Sequence, residues 1–244
     1  MDKEIIVAVP SYNNVRELPG VLDRLSVQGY PILVINDGST DGTGELLRTR
    51  YPDIDVVTHP VNMGKGAGIR SAFDRAYELG YRYVVTIDSD GQHYPEDLPL
   101  FVEKIGRYPD SLLVGARNLK AENMPAKNTF ANNLSNFFFR LISGQSLEDT
   151  QTGYRLYPIR KLRDLKLLSG KYEFEMEILV RAAWRHIPLR SVPIRVYYAP
   201  GEERISHFRP FQDFMRIVLL DFVLLLIAIF WFYPSRLLKS ARKD

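Results

Sequence analysis

The chain has 244 residues, 45% of them hydrophobic and 25% charged, with a formal net charge of +3. That composition excludes disorder and supplies a sizeable core, and so small a net charge does not signal a nucleic-acid partner. There is no cysteine, which excludes a disulfide scaffold, a thiolate zinc site and a cysteine nucleophile.

The first apolar run, Ile5–Pro10, is too short for a signal-peptide core and predicts a buried first strand. Short runs rich in Val, Ile and Leu predict further strands at Ile32–Asn36, Asp55–Thr58, Tyr83–Ile87 and Leu112–Gly115. Helical spacing and caps between them predict helices over Val15–Gln28, Gly42–Arg50, Gly66–Leu79 and Pro95–Tyr108. Strands alternating with helices imply right-handed crossovers and a mainly parallel α/β sheet, which binds ligands at the carboxyl ends of its strands. Further on, Asn128–Ile142 predicts a helix whose wide apolar face carries Phe130, Leu134, Phe137, Phe138, Leu141 and Ile142. Another helix is expected over Tyr172–Ala183, and an extended pair over Ile187–Tyr198. From Phe211 the chain is apolar and helical in pattern until Pro234 breaks it. Within that stretch, Ile217–Tyr233 has one charge, Asp221. As a helix, Ile217–Tyr233 reaches about 26 Å against a hydrocarbon core of about 30 Å.

Polar turns follow the predicted strands: Pro10-Ser11-Tyr12-Asn13-Asn14, Asn36–Thr43, Asn62–Gly68 and Asp88–His93. On one edge of a parallel sheet they make a site. In Asp88-Ser89-Asp90, two carboxylates one residue apart at a strand end can approach a hard cation, Mg²⁺ or Mn²⁺, that takes oxygen ligands and bridges phosphates; Gln92 can add a neutral oxygen. Asp37 can accept hydrogen bonds from a base or ribose or cap its own turn, a role for which Asp41 is better placed. Lys65 sits among glycines at a helix N-terminus, where a diphosphate is favoured, but the spacing is not that of a Walker loop. His93, beside the Asp88 and Asp90 carboxylates, can be a ligand or a base, with a positioning role favoured, and His59 and His186 read as structural or surface residues.

Together these residues resemble family 2 glycosyltransferases with a GT-A fold, and within them the dolichyl- or polyprenyl-phosphate sugar synthases. The resemblance is carried by Val9–Asn13, Asn36–Thr43, Asn62–Gly66, Asp88–Glu96, Gly115-Ala116-Arg117 and Asp149–Arg155, and spans residues 5–210. It implies that Pro10, Tyr12 and Asp37 hold the nucleoside, with Asn14, Lys65 and Ser89 completing the donor site. It further implies that Asp88, Asp90 and Gln92 ligate the metal, that Arg117 holds phosphate near the acceptor, and that Arg204 belongs to a basic loop closing over the donor. The chain departs from the family at Asn14, where an acid is usual, and at His207, where a lysine is expected. It also has a carboxylate in Tyr172–Glu177 where related synthases can carry a lysine.

The resemblance implies an inverting transfer from a nucleotide-diphospho-sugar to a polyprenyl phosphate at the membrane, residues 1–210 forming the transferase and 211–244 an apolar helix with a basic tail. Asp149 leaves a second reading open: a general base for a hydroxyl acceptor on a saccharide or lipid. A non-catalytic nucleotide-sugar-binding protein is a third. Basic residues flank the apolar helix on both sides, Arg204, Arg209 and Arg216 before it and Arg236, Lys239, Arg242 and Lys243 after it. This favours a helix lying in the cytoplasmic leaflet over a full span or a buried oligomer helix. Oligomeric state, donor base and sugar are not legible.

Overall fold

The computed structural model describes residues 3–118, 126–197 and 209–235. Seven strands form one sheet in the order β3-β2-β1-β4-β6-β5-β7. They are β1 (Lys3–Ser11), β2 (Ile32–Asn36), β3 (Asp55–Thr58), β4 (Tyr81–Thr86), β5 (Leu112–Arg117), β6 (Arg155–Pro158) and β7 (Leu189–Ile194). β6 runs antiparallel to both its neighbours, β4 and β5, and every other pairing is parallel. The amino end of β6 therefore lies on the same sheet edge as the carboxyl ends of β1, β2, β4 and β5. Arg155 pairs with Thr86 and with Val114 in register.

Alternation along the strands builds two cores. In β1, Ile6 and Ala8 face one cluster with Leu33, Ile35, Ile69 and Phe174, while Ile5, Val7 and Val9 face the other with Leu18, Leu22, Leu25 and Phe101. Helices α1 (Leu18–Val27), α2 (Thr43–Arg50) and α4 (Leu98–Arg107) contribute to the second cluster. The first takes α3 (Lys65–Glu78), α5 (Ala126–Ser143), α6 (Ile159–Leu162), α7 (Phe174–Trp184) and α8 (Pro210–Ile227). Each fully buried Leu or Phe contributes about 1.5–3 kcal/mol.

Proline accounts for two boundary differences. α1 starts at Leu18, so that Pro19 falls in the first turn, where its missing N–H costs nothing. The helix expected from Pro95 is a 3₁₀ turn, Pro95–Asp97, followed by α4 from Leu98, which places Pro99 in a first turn instead of a helix interior. The extended pair expected over Ile187–Tyr198 is one strand, β7, followed by an isolated antiparallel bridge between His93 and Val196. β7 finds its partner in β5, a parallel pairing that no local pattern announces.

α5 is inside out. Asn132, Ser135 and Asn136 face the protein, each bonded to the segment 148–150 or its side chains. Phe130, Leu134, Phe137 and Leu141 point outward, Phe130 with 72% of its surface exposed. α8 continues through a π-helical turn, Ala228–Phe232, and the helix runs on to Ser235, so Pro234 does not break it within the described residues. A widened turn relieves the clash of a proline ring with the carbonyl four residues back. One face of this helix, with Leu224, Ala228 and Phe232, packs on the protein. Phe232 stacks on Trp184 at 5.4 Å, and the Tyr233 hydroxyl donates to the Leu141 carbonyl at 2.7 Å. The opposite face exposes Phe211, Phe214, Leu219, Phe222, Phe230 and Trp231.

Candidate active site

The turns beyond the strand ends enclose a cleft of about 680 Å³. Pro10, Ser11, Tyr12 and Asn14 come from the end of β1, Asp37 from β2, and Asn62, Gly64 and Lys65 from the entry to α3. Asp88, Ser89, Asp90 and Gln92 follow β4, Arg117 ends β5, and Gln151 precedes β6. Lys171 and Tyr172 close one side, and Arg209, Asp213 and Arg216 at the start of α8 close the mouth.

Asp37 is 5% exposed, and its carboxylate is already engaged. Oδ1 lies 2.6 Å from His59 Nδ1 and accepts the Met63 N–H at 2.8 Å; Oδ2 accepts the Gly64 N–H at 2.8 Å. The far nitrogen of His59 meets Ser71 Oγ at 2.8 Å. Asp, His and Ser are connected as in a hydrolytic triad, but Ser71 sits within α3 and neither it nor His59 lines the cleft. The chain of bonds instead fixes Asp37. Gly38 is required beside it: its φ is +68°, and a Cβ would lie 2.3 Å from the Val61 carbonyl carbon. The N-cap of α2 is Gly42, not Asp41, but Asp41 just before it accepts the Thr43 N–H at 3.1 Å and, from the first turn, the Val15 N–H at 2.9 Å.

The Asp88–Asp90 turn is held from beneath by Asn14, whose side-chain amide donates to the Ser89 carbonyl at 2.6 Å and to Ser89 Oγ at 3.0 Å. An acid at this position could not donate. The Gln92 N–H donates to Asp90 Oδ1 at 3.0 Å. Burial and the neighbouring Asp88 charge raise the Asp90 pKa. Asp88 is half-buried, which alone would raise its pKa, but Lys65 Nζ at 2.8 Å from Oδ1 more than offsets that and pulls it down. His93 Nε2 stands 3.8 Å from Asp88 Oδ2. Lys65 also touches Glu175, Nζ to Oε2 at 3.1 Å. A Cβ at Gly153 would lie 2.4 Å from Asp88 Oδ2 and 2.7 Å from Lys65 Nζ, so any larger residue there displaces these two side-chain ends. Among the described residues no three His, Asp or Glu groups converge as a self-contained metal cage. Two crowded carboxylates that disfavour joint ionisation suit an ion that takes its remaining ligands from a diphosphate, as Mg²⁺ commonly does.

Across the cleft, Arg117 and Asp149 form a two-pronged ion pair: Nε to Oδ2 at 2.5 Å and Nη2 to Oδ1 at 2.9 Å. Asp149 is 1% exposed and also accepts from Asn132 Nδ2 at 2.8 Å and from the Gln151 N–H at 3.0 Å. Burial alone would raise its pKa, and these donors, Arg117 foremost, bring it below the usual value. Arg155 is fully buried and donates to the carbonyls of Thr150, Thr152 and Glu175, which sets the shape of the segment 149–154.

A family profile described as glycosyl transferase family 2 matches residues 6–165. This chain belongs to that family. Its similarity to the undecaprenyl-phosphate mannosyltransferase of Micrococcus luteus is 32% identity, over 83% of this chain and 87% of the relative. With the UDP-N-acetylglucosamine–dolichyl-phosphate N-acetylglucosaminyltransferase of Methanococcus voltae it shares 28%, over 81% and 87% of the two chains. The crystal structure of glucosyl-3-phosphoglycerate synthase from Mycobacterium tuberculosis, in complex with Mn²⁺, UDP-glucose and phosphoglyceric acid, superposes with a TM-score of 0.65. It has 18% identity and covers 93% of this chain and 79% of its own, which shows the shared GT-A fold.

In this family 2 glycosyltransferase, the site residues named from the sequence converge with two exceptions. Arg204 lies outside the described residues, and Asp149 stands behind Arg117 and is not among the groups lining the cleft. Sequence reasoning missed the role of His59 as the partner of Asp37, of Asn132 as a partner of Asp149 and of Glu175 as a partner of Lys65. It also missed Lys171, Tyr172 and Asp213 as cleft walls. The apolar pattern of α5 concealed Asn132, which a reading of its polar stripe would have flagged.

Proposed function

We propose that this glycosyltransferase moves a sugar, with inversion, from a nucleotide-diphospho-sugar to a polyprenyl phosphate at the cytoplasmic membrane surface. The observation that carries the acceptor reading is the Arg117–Asp149 pair. A carboxylate held by a guanidinium, an amide and a backbone N–H, with a lowered pKa, is a poor proton acceptor. A hydroxyl acceptor needs such a base, whereas a phosphate is already anionic at neutral pH. Arg117, Lys171, Arg209 and Arg216 give the cleft a cationic wall that suits it.

The roles in this reading are those the family resemblance implies. Pro10, Tyr12 and Asp37 hold the nucleoside. Asp88 and Asp90, with Gln92 nearby, would hold Mg²⁺ or Mn²⁺ against the diphosphate, and a bound ion supplies Lewis-acid stabilisation of the leaving group. Asn14 keeps the Asp88–Asp90 turn in place through Ser89. Lys65 adds positive charge at the amino end of α3, where phosphate is favoured. Arg117 orients the acceptor phosphate so that its oxygen faces the anomeric carbon opposite the departing diphosphate. Arg204 belongs to the same reading, as the cation of the loop over the donor.

The outward apolar row of α5 and the outward face of α8 support membrane association, because both present apolar side chains to an environment that is not the protein's own core. Phe211–Ser235 is 25 residues, about 37 Å of helix, long enough to span. Its inner face packs on Trp184 and Leu141, however, which holds it beside the catalytic unit. A helix lying in the cytoplasmic leaflet keeps that contact and lets the basic flanks reach anionic head groups. In this reading residues 1–210 are the transferase and 211–244 its membrane element.

The deciding assay incubates the full chain with a panel of nucleotide sugars, Mg²⁺ or Mn²⁺, and either polyprenyl phosphate or neutral acceptors, and follows released nucleoside diphosphate. Turnover with polyprenyl phosphate alone is the expected result. Turnover with neutral acceptors only would replace this reading with the hydroxyl one, and donor binding without turnover on any acceptor with the non-catalytic one.

A further inference from the structure

Lys65 is shared between two carboxylates, at 2.8 Å from Asp88 Oδ1 and 3.1 Å from Glu175 Oε2. Its side chain is 18% exposed and that of Glu175 12%, so screening by water is weak. Glu175 does not line the cleft, so its effect on the chemistry passes through Lys65. Behind Glu175, Arg155 Nη2 lies 3.9 Å from Oε1. The four groups alternate in sign, Asp88, Lys65, Glu175, Arg155. Gly153 lies beside the Asp88–Lys65 contact, close enough that a Cβ there would meet both partners.

We propose that Lys65 is a built-in competitor of the divalent cation for Asp88, and that Glu175 is the positioning residue that takes Lys65 over when Asp88 binds the ion. This rests on the reading of Asp88 as a metal ligand. A carboxylate lone pair given to a metal ion cannot also accept from an ammonium, and the two cations repel. Withdrawal of Lys65 from Asp88 is unfavourable unless a second anion receives it, and Glu175 is already in contact. The exchange keeps Lys65 charged and at the amino end of α3, beside the space a diphosphate would fill. Cation affinity and the placing of a phosphate-binding ammonium are thereby coupled through one side chain.

The test is direct binding of Mn²⁺ alone, followed by electron paramagnetic resonance on the full chain in detergent, without nucleotide. Lys65→Met should tighten Mn²⁺ binding, and Glu175→Gln should weaken it, each by about tenfold, as expected for one unit charge at close range in a partly buried site. In the Lys65→Met background, Glu175→Gln should change affinity by less than about threefold, because the charge it acts through has gone. Unchanged or weaker binding in Lys65→Met overturns the competition. An equal loss from Glu175→Gln in both backgrounds overturns the relay and makes Glu175 a direct electrostatic contributor. Should Lys65→Met lack the wild-type thermal transition, Lys65→Gln carries the same expectation. Asp88→Asn separates the two levels. If it leaves Mn²⁺ binding intact, the metal-ligand reading itself fails. If it removes binding while Lys65→Met has no effect, only the present inference fails.

Discussion

Arg117 presents two nitrogens to both oxygens of Asp149, at 2.5 and 2.9 Å, and so joins the end of β5 to the segment leading into β6. In the proposed reading the pair couples acceptor binding to stability. Arg117→Ala should raise the KM for polyprenyl phosphate about tenfold or more while barely changing that for donor. It should also destabilise the protein by about 3–5 kcal/mol, because Asp149 is left buried and unpaired. The neutral double variant Arg117→Gln/Asp149→Asn should recover most of the stability but not the acceptor KM. Recovery of both would show that the guanidinium does not touch the acceptor.

Asp149→Asn by itself decides the question of the base. It should cost about 1–3 kcal/mol of stability and leave turnover on polyprenyl phosphate within about tenfold of wild type. A general base would lose about 10²–10⁴. A loss of that size, accompanied by activity on neutral acceptors, makes Asp149 the base.

Acid should unfold the protein partly through the same residue. The pKa of Asp149 in the fold lies below its ordinary value of 3.8. Its contribution is therefore complete above that value and is lost as pH falls through the folded pKa. Glu177 behaves alike: burial would raise its pKa, but Ser169, Leu168 and Arg181 pull it below 4.5. Denaturant unfolding at pH 5 and at pH 3 should show stability falling between the two. In Asp149→Asn the fall should be shallower, and an identical fall in the variant would remove Asp149 from the account.

Asp90→Ala should abolish turnover while the thermal transition is kept or raised, since Asp90 is crowded by Asp88 and its removal relieves like-charge repulsion. EDTA should silence the wild type, with Mg²⁺ or Mn²⁺ restoring it. Wild-type turnover in Asp90→Ala with metal present would remove Asp90 from the metal site.

Gly153→Ala should damage activity more than stability. Overpacking costs about 1–3 kcal/mol, but the methyl strikes Asp88 and Lys65 directly. Nucleoside diphosphate release should fall at least about a hundredfold, equivalent to roughly 2.7 kcal/mol of barrier. Near-normal turnover would show that the Asp88–Lys65 contact can move freely.

The outer face of α8 can be tested without removing the helix, whose inner face holds Trp184 and Leu141. Leu219, Phe222 and Phe230 are 64%, 57% and 77% exposed. Replacing all three by Glu should release the protein from anionic phospholipid vesicles with the thermal transition unchanged, since each apolar side chain withdrawn from lipid forfeits about 1.5–3 kcal/mol. Retention on the vesicles would assign the anchoring elsewhere. A reporter fused after Asp244 should stay protected from external protease in sealed right-side-out cells, and cleavage there would establish a span.

The period of two in β1 and the turn chemistry at Asn36–Thr43 and Asp88–His93 are legible in the sequence because each depends on residues within a few positions. Those local signals place five strands, the polar edge and the Asp88–Asp90 pair. β6 escapes them because four residues beginning with Arg and ending with Pro carry no alternation, and both flanks of the strand are supplied by β4 and β5. Its reversed direction is a matter of where the chain can return, and that reversal brings Asp149 behind Arg117 and Gly153 against Asp88.

By itself the sequence determined an α/β sheet with its chemistry at the strand ends, because hydrophobic period and glycine-rich turns are local properties. Only the tertiary structure decided that Arg117 meets Asp149, that Lys65 lies between Asp88 and Glu175, and that His59 holds Asp37. These partners come from separate elements, so their contact depends on strand order and direction. It also decided that α5 turns its polar row inward. An apolar stripe records that a helix has a dry side, but whether protein or lipid covers that side is settled by what the neighbouring elements leave exposed.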